Sequence, residues 1–269
     1  METRQKPDET SSGQMLTFGG HLEVLRRMLF RIIGVTMAIA AVVFCFKEET
    51  FVILLAPSKW DFATYRLLED AMQLIQPGFH FEQYHVQLIA TELASQFMTH
   101  ISTSIYLGLL GASPYILYEL FRFVSPALYA NERRYSVRII STVYVLFIVG
   151  LLMSYYVIFP ISFRFLGTYS VSAEITSTIT LDSYITSFVT LTLLLGIVFQ
   201  LPVIAYILGR LGIVTAPMLA AFRRHAILVI AIVAAVITPP DVMSLILVAI
   251  PLYLLYEISI QILKWTSPR

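Results

Sequence analysis

The sequence contains little charge and almost no cysteine. Of its 269 residues, 13% are charged and 58% are apolar, and the mean hydropathy is +0.79. Soluble domains have roughly 25% charged residues, so the composition excludes an ordinary water-soluble globule. The single cysteine, Cys45, excludes a disulfide or a cysteine-based metal site within one chain. A formal net charge of +1 argues against a nucleic-acid-binding protein.

Catalytic signatures are also missing from the sequence. It has no H-E-x-x-H zinc helix, no G-x-S-x-G nucleophile turn and no glycine-rich phosphate loop with its lysine. The five histidines are scattered, and the nearest pair, His80 and His85, has a spacing that does not share one helical face. We therefore predict no enzymatic activity, no cofactor and no metal site.

Long apolar runs are what the sequence does contain. A spanning helix needs about 20 apolar residues, because the hydrocarbon is roughly 30 Å thick and each residue rises about 1.5 Å. Four runs reach this length, and two more are cleanly apolar for only 12 and 15 residues. The long runs are residues 28–46, 97–121, 137–160 and 183–208, and the short ones are 226–237 and 242–256.

Basic residues divide unequally between the segments that flank these runs. Fourteen of the 18 Lys and Arg lie in the N-terminal part, the linkers 122–138 and 210–224, and the C-terminal tail. The short runs permit a re-entrant hairpin, and the tight link 238–241 permits a turn between two spans just as well. The flanking charges favour two spans. We predict an all-α integral membrane protein with six transmembrane helices, both termini in the cytoplasm, and short fifth and sixth helices.

This topology divides the chain into a membrane domain and its connecting segments. In the first external segment, apolar residues at helical spacing predict a helix that lies on the membrane face or caps the bundle. Capping is favoured because the segment has no basic polar face. These apolar residues are Leu67, Leu68, Ala71, Met72 and Ile75. The predicted parts are a mobile cytoplasmic tail (1–20), the membrane domain (21–264), external loops (47–96 and 161–182), cytoplasmic loops (122–136 and 209–225) and a cytoplasmic tail (265–269).

One polar side chain lies deep within an apolar run. Gln200 lies in the run 183–208, where an amide needs protein partners because lipid provides none. Two interpretations stay open: an interhelical hydrogen bond that holds the bundle, or a polar contact for something that moves through or docks within the membrane. Pro202 removes one backbone hydrogen bond, which predicts a bend and a concave face there.

Polar and aromatic residues concentrate at the predicted cytoplasmic edge. Residues 21–27 form an amphipathic approach to the first run, and residues 114–129, rich in aromatics, precede a charged cluster at 131–134. Aromatic anchoring together with positive-inside charge explains the arginines of this cluster but not Glu132.

These segments together resemble TatC, the receptor subunit of the twin-arginine protein translocase. The family patterns are H-L-x-E-L-R before the first span, F-x-x-P-x-L with E-R-R after the second, and F-[QE]-x-P in the fourth. T-P-P-D lies between the fifth and sixth spans, and a proline with [YF]-E lies in the sixth. They match residues 21–26, 123–128 with 132–134, 199–202, 238–241, and 251 with 256–257.

The resemblance implies a multi-pass receptor of the bacterial inner membrane. Such proteins bind the paired arginines of signal peptides on folded cargo, and then recruit TatA-type single-span subunits for gradient-driven export. The resemblance leaves open whether a TatB-type partner is also used. Membrane lipid and a second copy of the chain are further partners that it implies. The implied signal-peptide positions are Glu132, Glu23, Arg26, Phe123, Pro126 and Leu128, the implied intramembrane partner contacts are Gln200 and Pro202, and Pro57 is an external structural position.

Glu132 is our first choice for an arginine contact, because a guanidinium pairs bidentately with a carboxylate. The family's glutamate in H-L-x-E-L-R falls on Val24, and the acidic residue here is Glu23, about 100° away around a helix. Three explanations stay open. Glu23 replaces the family's glutamate through a shift at a frayed helix start, or arginine recognition depends more on Glu132. The third is that signal selectivity is weaker or altered.

Two other classes of function are alternatives to the receptor. In a secondary small-molecule transporter, Gln200 and Pro202 would line a polar site at the membrane midplane. Short helices in corresponding halves would favour that class, whereas the short runs here are adjacent. An intramembrane enzyme has no supporting set of residues.

Overall fold

A computed structural model of the chain describes residues 18–78, 80, 86–128, 133–170, 172 and 178–266. Helices dominate this part of the chain, as the apolar runs predict. They are α1 (Phe18–Cys45), α2 (Lys47–Leu55), α3 (Ala63–Ile75), α4 (Ser95–Leu128), α5 (Arg133–Met153), α6 (Phe159–Thr168), α7 (Leu181–Val198), α8 (Leu201–Arg210), α9 (Ala216–Ala221), α10 (Arg223–Ile237) and α11 (Val242–Thr266). A 3-10 turn covers Ala56–Ser58, and a π-helical turn, Ser154–Ile158, joins α5 to α6.

Four helical stretches of the described residues are long and apolar enough to cross a membrane. They are Leu22–Cys45, Ile139–Thr168, Leu181–Arg210 and Val242–Trp265. The other two predicted spans correspond to α4 and α10, which are not among these four stretches. Helix α4 has 34 residues, about 51 Å, but is more polar, and α10 has 15 residues, about 22 Å.

The prediction of a short sixth helix is wrong. Helix α11 has 25 residues and continues past Glu257, where the clean apolar run ends. An ion pair between Glu257 and Arg223 compensates the charge that interrupts the run. Apolar residues then resume and are buried at Ile260 and Leu263. The fifth helix, α10, is short as predicted.

The third span also extends further than the sequence indicates. The apolar run ends at Pro160, but the chain stays helical to Thr168, inside the predicted external loop 161–182. Pro160 lies at the start of α6, directly after the π-helical turn, where a proline is tolerated because the first turn of a helix leaves its N–H groups unbonded.

Two connecting segments contain structure that hydropathy did not indicate. A two-residue strand, β1 (Leu88–Ile89), pairs in parallel with β2 (Ile179–Thr180) and so ties the two predicted external loops together. The predicted cytoplasmic loop 209–225 contains α9, whose first turn is capped by the Thr215 hydroxyl accepting from the Met218 N–H at 3.4 Å. At the N-terminus, α1 begins at Phe18, inside the predicted tail 1–20.

The helices pack around α7. Its residues Tyr184, Ile185, Phe188 and Leu195 are buried in one cluster with side chains of α6, α10 and α11. Helix α1 lies along α4, and the approach is close at Gly108. A Cβ added there would lie 2.6 Å from the Cβ of Ala40 and 2.9 Å from its backbone N and Cα. A side chain at position 108 would therefore separate the two helices.

The helix predicted in the first external segment is present as α3, but its apolar face does not cap the bundle. The buried residues of α3 are Thr64 and Tyr65, in its first turn. Leu67 and Ile75 are largely exposed. The preference for capping is therefore wrong for this face, because only the start of α3 rests on the bundle.

Candidate functional site

Glu23 lies in the second turn of α1 and is paired within its own helix. The Arg26 Nη2 and the Arg27 Nε each donate to Oε1 of Glu23 at 3.1 Å. All three side chains are exposed, and Val24 beside them is exposed as well. Since α1 starts at Phe18, Glu23 already lies within regular helix, which argues against a shift at a frayed start.

An ion pair with one buried partner, which the apolar runs did not reveal, joins α1 to α4. Arg31 Nη1 lies 3.3 Å from Oε1 of Glu119, and the Tyr115 hydroxyl donates to the same oxygen at 2.9 Å. Glu119 is only 4% exposed, while the Arg31 side chain is 47% exposed. Two lone, opposite charges at similar depth in neighbouring apolar runs were the signal that could have revealed the pair.

The remaining predicted signal-peptide positions follow the end of α4. Phe123 is half-buried, and the backbone at Pro126 and Leu128 belongs to the last two turns of the helix. Glu132 lies outside the described residues, so its predicted role stays a prediction. The order along the chain places Glu132 four residues beyond the end of α4.

Gln200 occupies the two-residue break between α7 and α8. Its Nε2 donates to the backbone carbonyl of Val143 in α5 at 3.2 Å and to that of Gly196 at 3.3 Å. Its Oε1 is buried and has no hydrogen-bond partner among the described residues. The contact that forms is thus an interhelical hydrogen bond, the first of the two interpretations of this residue.

Pro202 borders a groove of about 680 Å³ between α5, α8 and α11. The described lining is mainly apolar, with Thr142 and Tyr206 as its polar members, and Gln200 does not belong to it. Gln200 and Pro202 therefore do not form one polar midplane site, which is the arrangement a small-molecule transporter would need. The concave face predicted at Pro202 is present.

Pro57 is buried in the 3-10 turn that follows α2. Its carbonyl accepts from the Tyr65 hydroxyl at 3.1 Å, and the same hydroxyl donates to the Pro160 carbonyl at 2.7 Å. Tyr65 thereby joins the turn to the start of α6. This placement agrees with a structural position in the external segment.

A bidentate ion pair holds α10 against α11. Arg223 donates from Nε to Oε1 of Glu257 at 2.7 Å and from Nη2 to Oε2 at 2.9 Å. Tyr253 adds a third bond at 3.1 Å, and the Tyr256 hydroxyl donates to the Leu219 carbonyl at 2.7 Å. The hydrogen bond with Glu257 raises the pKa of the Arg223 guanidinium above its ordinary value. Glu257 belongs to the family pattern at 256–257, but its pairing with Arg223 is not apparent from the sequence.

The fold and these sites define a multi-pass, helical membrane protein in which ion pairs link α1 to α4 and α10 to α11. The profile of the family "Sec-independent protein translocase protein (TatC)" matches residues 20–251. The chain belongs to the TatC family, whose members are protein translocase components of the membrane and not enzymes.

Curated relatives and solved structures agree with this assignment. The TatC protein of Blattabacterium sp. subsp. Periplaneta americana (strain BPLAN) is 33% identical over 94% of this chain and 97% of the relative. That of Desulforapulum autotrophicum is 36% identical over 90% of this chain and 82% of the relative. A crystal structure of the twin-arginine translocase receptor TatC matches with a TM-score of 0.71 at 31% identity, over 91% of this chain and 98% of that chain.

Proposed function

We propose that this chain is the receptor subunit of a twin-arginine translocase in a bacterial inner membrane, with six spans and both termini in the cytoplasm. It binds the paired arginines of signal peptides on folded proteins. The observation that carries the proposal is the likeness to a twin-arginine translocase receptor along 98% of that structure. The excess of Lys and Arg on one set of linkers supports the orientation.

Recognition of two guanidinium groups requires acidic groups near the membrane surface, since each guanidinium pairs best with a carboxylate. Glu132 is the first of these groups in our proposal. Glu23 is the second, and its carboxylate already accepts from Arg26 and Arg27 at 3.1 Å. An incoming arginine therefore has to exchange with these neighbours, which reduces the contribution of Glu23 to affinity. Phe123, Pro126 and Leu128 support the same surface from the end of α4.

The apolar groove beside Pro202 supports the second part of the proposal, the recruitment of TatA-type single-span subunits, with or without a TatB-type one. A groove lined by aliphatic side chains and open to lipid suits another apolar helix, because helices associate in membranes through close packing. Gln200 acts here as a support, since its amide holds α5 against the bend from which the groove is formed.

The test is export in a strain that lacks its own receptor gene. A reporter with a twin-arginine signal should be exported when this chain is supplied, and a twin-lysine reporter should not. Glu132→Ala should abolish export at normal protein levels, while Glu92→Ala, a matched change of an exposed external carboxylate, should leave it intact. Failure of the wild-type chain together with its partner subunits from the same source to restore export would refute the proposal.

Photo-crosslinking resolves the contribution of each position. A crosslinker placed at 23, 24 or 132 should capture the signal peptide, and the yield should fall when the paired arginines become lysines. A crosslinker at 92 serves as the control. Equal yields from 92 and 132 would contradict recognition at this face.

A further inference from the structure

Helix α3 presents a large apolar face that nothing in the described part of the chain covers. Leu67, Leu74 and Ile75 are 69%, 89% and 80% exposed. The opposite side of the helix bears Arg66, which pairs with Asp61, and polar residues at positions 69, 70 and 73. Such a division into apolar and polar sides is typical of a helix that lies at a membrane surface.

The first turn of α3 is attached to the end of the third span. The Thr64 hydroxyl donates to the backbone carbonyl of Tyr156, and the Tyr65 hydroxyl donates to that of Pro160 at 2.7 Å. Pro160 has no N–H to donate to the carbonyl four residues before it, which is that of Tyr156. A proline in the span thus leaves an acceptor available for α3.

This attachment lies at the edge of the hydrocarbon. Starting at Ile139, where the apolar stretch of the third span begins, about 20 residues cover a hydrocarbon thickness of roughly 30 Å. The span therefore reaches the interface near Tyr156. Aromatic side chains, which prefer this level, gather around it: the Phe62 and Tyr156 rings stack at 5.8 Å, and Trp60, two residues before Phe62 in the chain, is exposed.

Helical geometry determines where the rest of the face points. Thr64, Leu68, Ala71 and Ile75 follow one another at spacings of four and three residues, so they lie on one side of α3. This side of α3 contacts the end of the third span at Thr64. From Thr64 to Ile75 it extends about 16 Å past the bundle. It is directed toward the lipid beside the bundle and not toward the aqueous phase.

We propose that α3 is a lipid-binding helix that inserts Leu67, Leu74 and Ile75 into the outer leaflet and anchors the first external segment there. The proposal rests on the orientation proposed above but not on signal-peptide recognition. The polar side includes Glu69 and Asp70 and gives no attraction to anionic headgroups. Burial of apolar surface is the driving interaction, so insertion should not depend on anionic lipid.

The test uses the purified full chain with Cys45→Ser and one new cysteine carrying a fluorescent label. The chain is reconstituted in phosphatidylcholine nanodiscs whose acyl chains are brominated. Labels at Leu74→Cys and Ile75→Cys should be quenched as strongly as one at Ile33→Cys, a lipid-facing position on α1. A label at Gln73→Cys, on the polar side, should not be quenched. Adding phosphatidylglycerol should not change these values.

Two results would overturn the proposal. Quenching at 74 and 75 no greater than at 73 would place the face in water. Disulfide crosslinking between copies through Leu74→Cys in vesicles, without quenching by brominated lipid, would assign the face to a second copy of the chain. Positions 33, 74 and 75 are exposed and Gln73 is partly exposed, so the variants should fold. The experiment contains no signal peptide, so its failure does not bear on the receptor function.

Discussion

Replacement of Gly108 by alanine should weaken the contact between α1 and α4. The new Cβ would lie 2.6 Å from the Ala40 Cβ and 2.9 Å from two backbone atoms of Ala40, which cannot rotate away. Overpacking costs about 1–3 kcal/mol, and backbone contact puts this case near the upper end. Alanine also stabilises a helix by about 0.5–1 kcal/mol relative to glycine. The expected net loss is therefore about 2 kcal/mol.

The measurement is the free energy of unfolding of the purified chain, followed by helical circular dichroism as SDS is titrated into mixed micelles. Gly34→Ala is the matched control, because no described atom outside its own helix segment lies within 4 Å of a Cβ added at that position of α1. This control should be as stable as the wild type or slightly more stable. If Gly108→Ala were equally stable, the close approach of α1 and α4 would be refuted.

Three further substitutions test the polar contacts of the bundle by the same titration. Arg31→Met should destabilise by about 2–3 kcal/mol because it leaves the buried Glu119 carboxylate unpaired, and the double change with Glu119→Met should recover most of the loss; no recovery would contradict the pair. Glu257→Gln should cost about 1 kcal/mol, since the pair with Arg223 is partly exposed, and a double-mutant cycle with Arg223→Gln should show the coupling. Gln200→Leu should change stability by less than about 1 kcal/mol, because a lost interhelical bond is offset by removal of an unpartnered buried oxygen; a larger loss would indicate a further partner for that oxygen.

Local sequence patterns were enough to predict most of the helices. Apolar runs predicted each membrane helix within a few residues at one end or both, because in lipid the backbone has to satisfy its own hydrogen bonds and a helix does so locally. Patterns failed where a single residue was taken as a boundary. Pro160 and Glu257 interrupt apolar runs, yet α6 and α11 continue through or past them. A π-helical turn accommodates Pro160, and an ion pair with Arg223 of another helix compensates the charge of Glu257.

The candidate site shows the same difference between what local sequence patterns predict and what contacts between helices decide. Glu23, Arg26 and Glu132 could be named from spacing and family pattern, because each belongs to a short motif that is contiguous in sequence. The pairing of Arg31 with Glu119 could not, because these residues are 88 positions apart and meet only where α1 packs along α4.

By itself, the sequence determined that the chain lies in a membrane, which segments are helical and which family the chain resembles. These properties follow from hydropathy and short motifs, which act over one or two helical turns. The tertiary structure decided which lone charges are neutralised, that the amide of Gln200 turns to α5, and that α3 exposes its apolar face. Each of these depends on which helices are neighbours and on how they are rotated, and interactions within a single helix do not determine either.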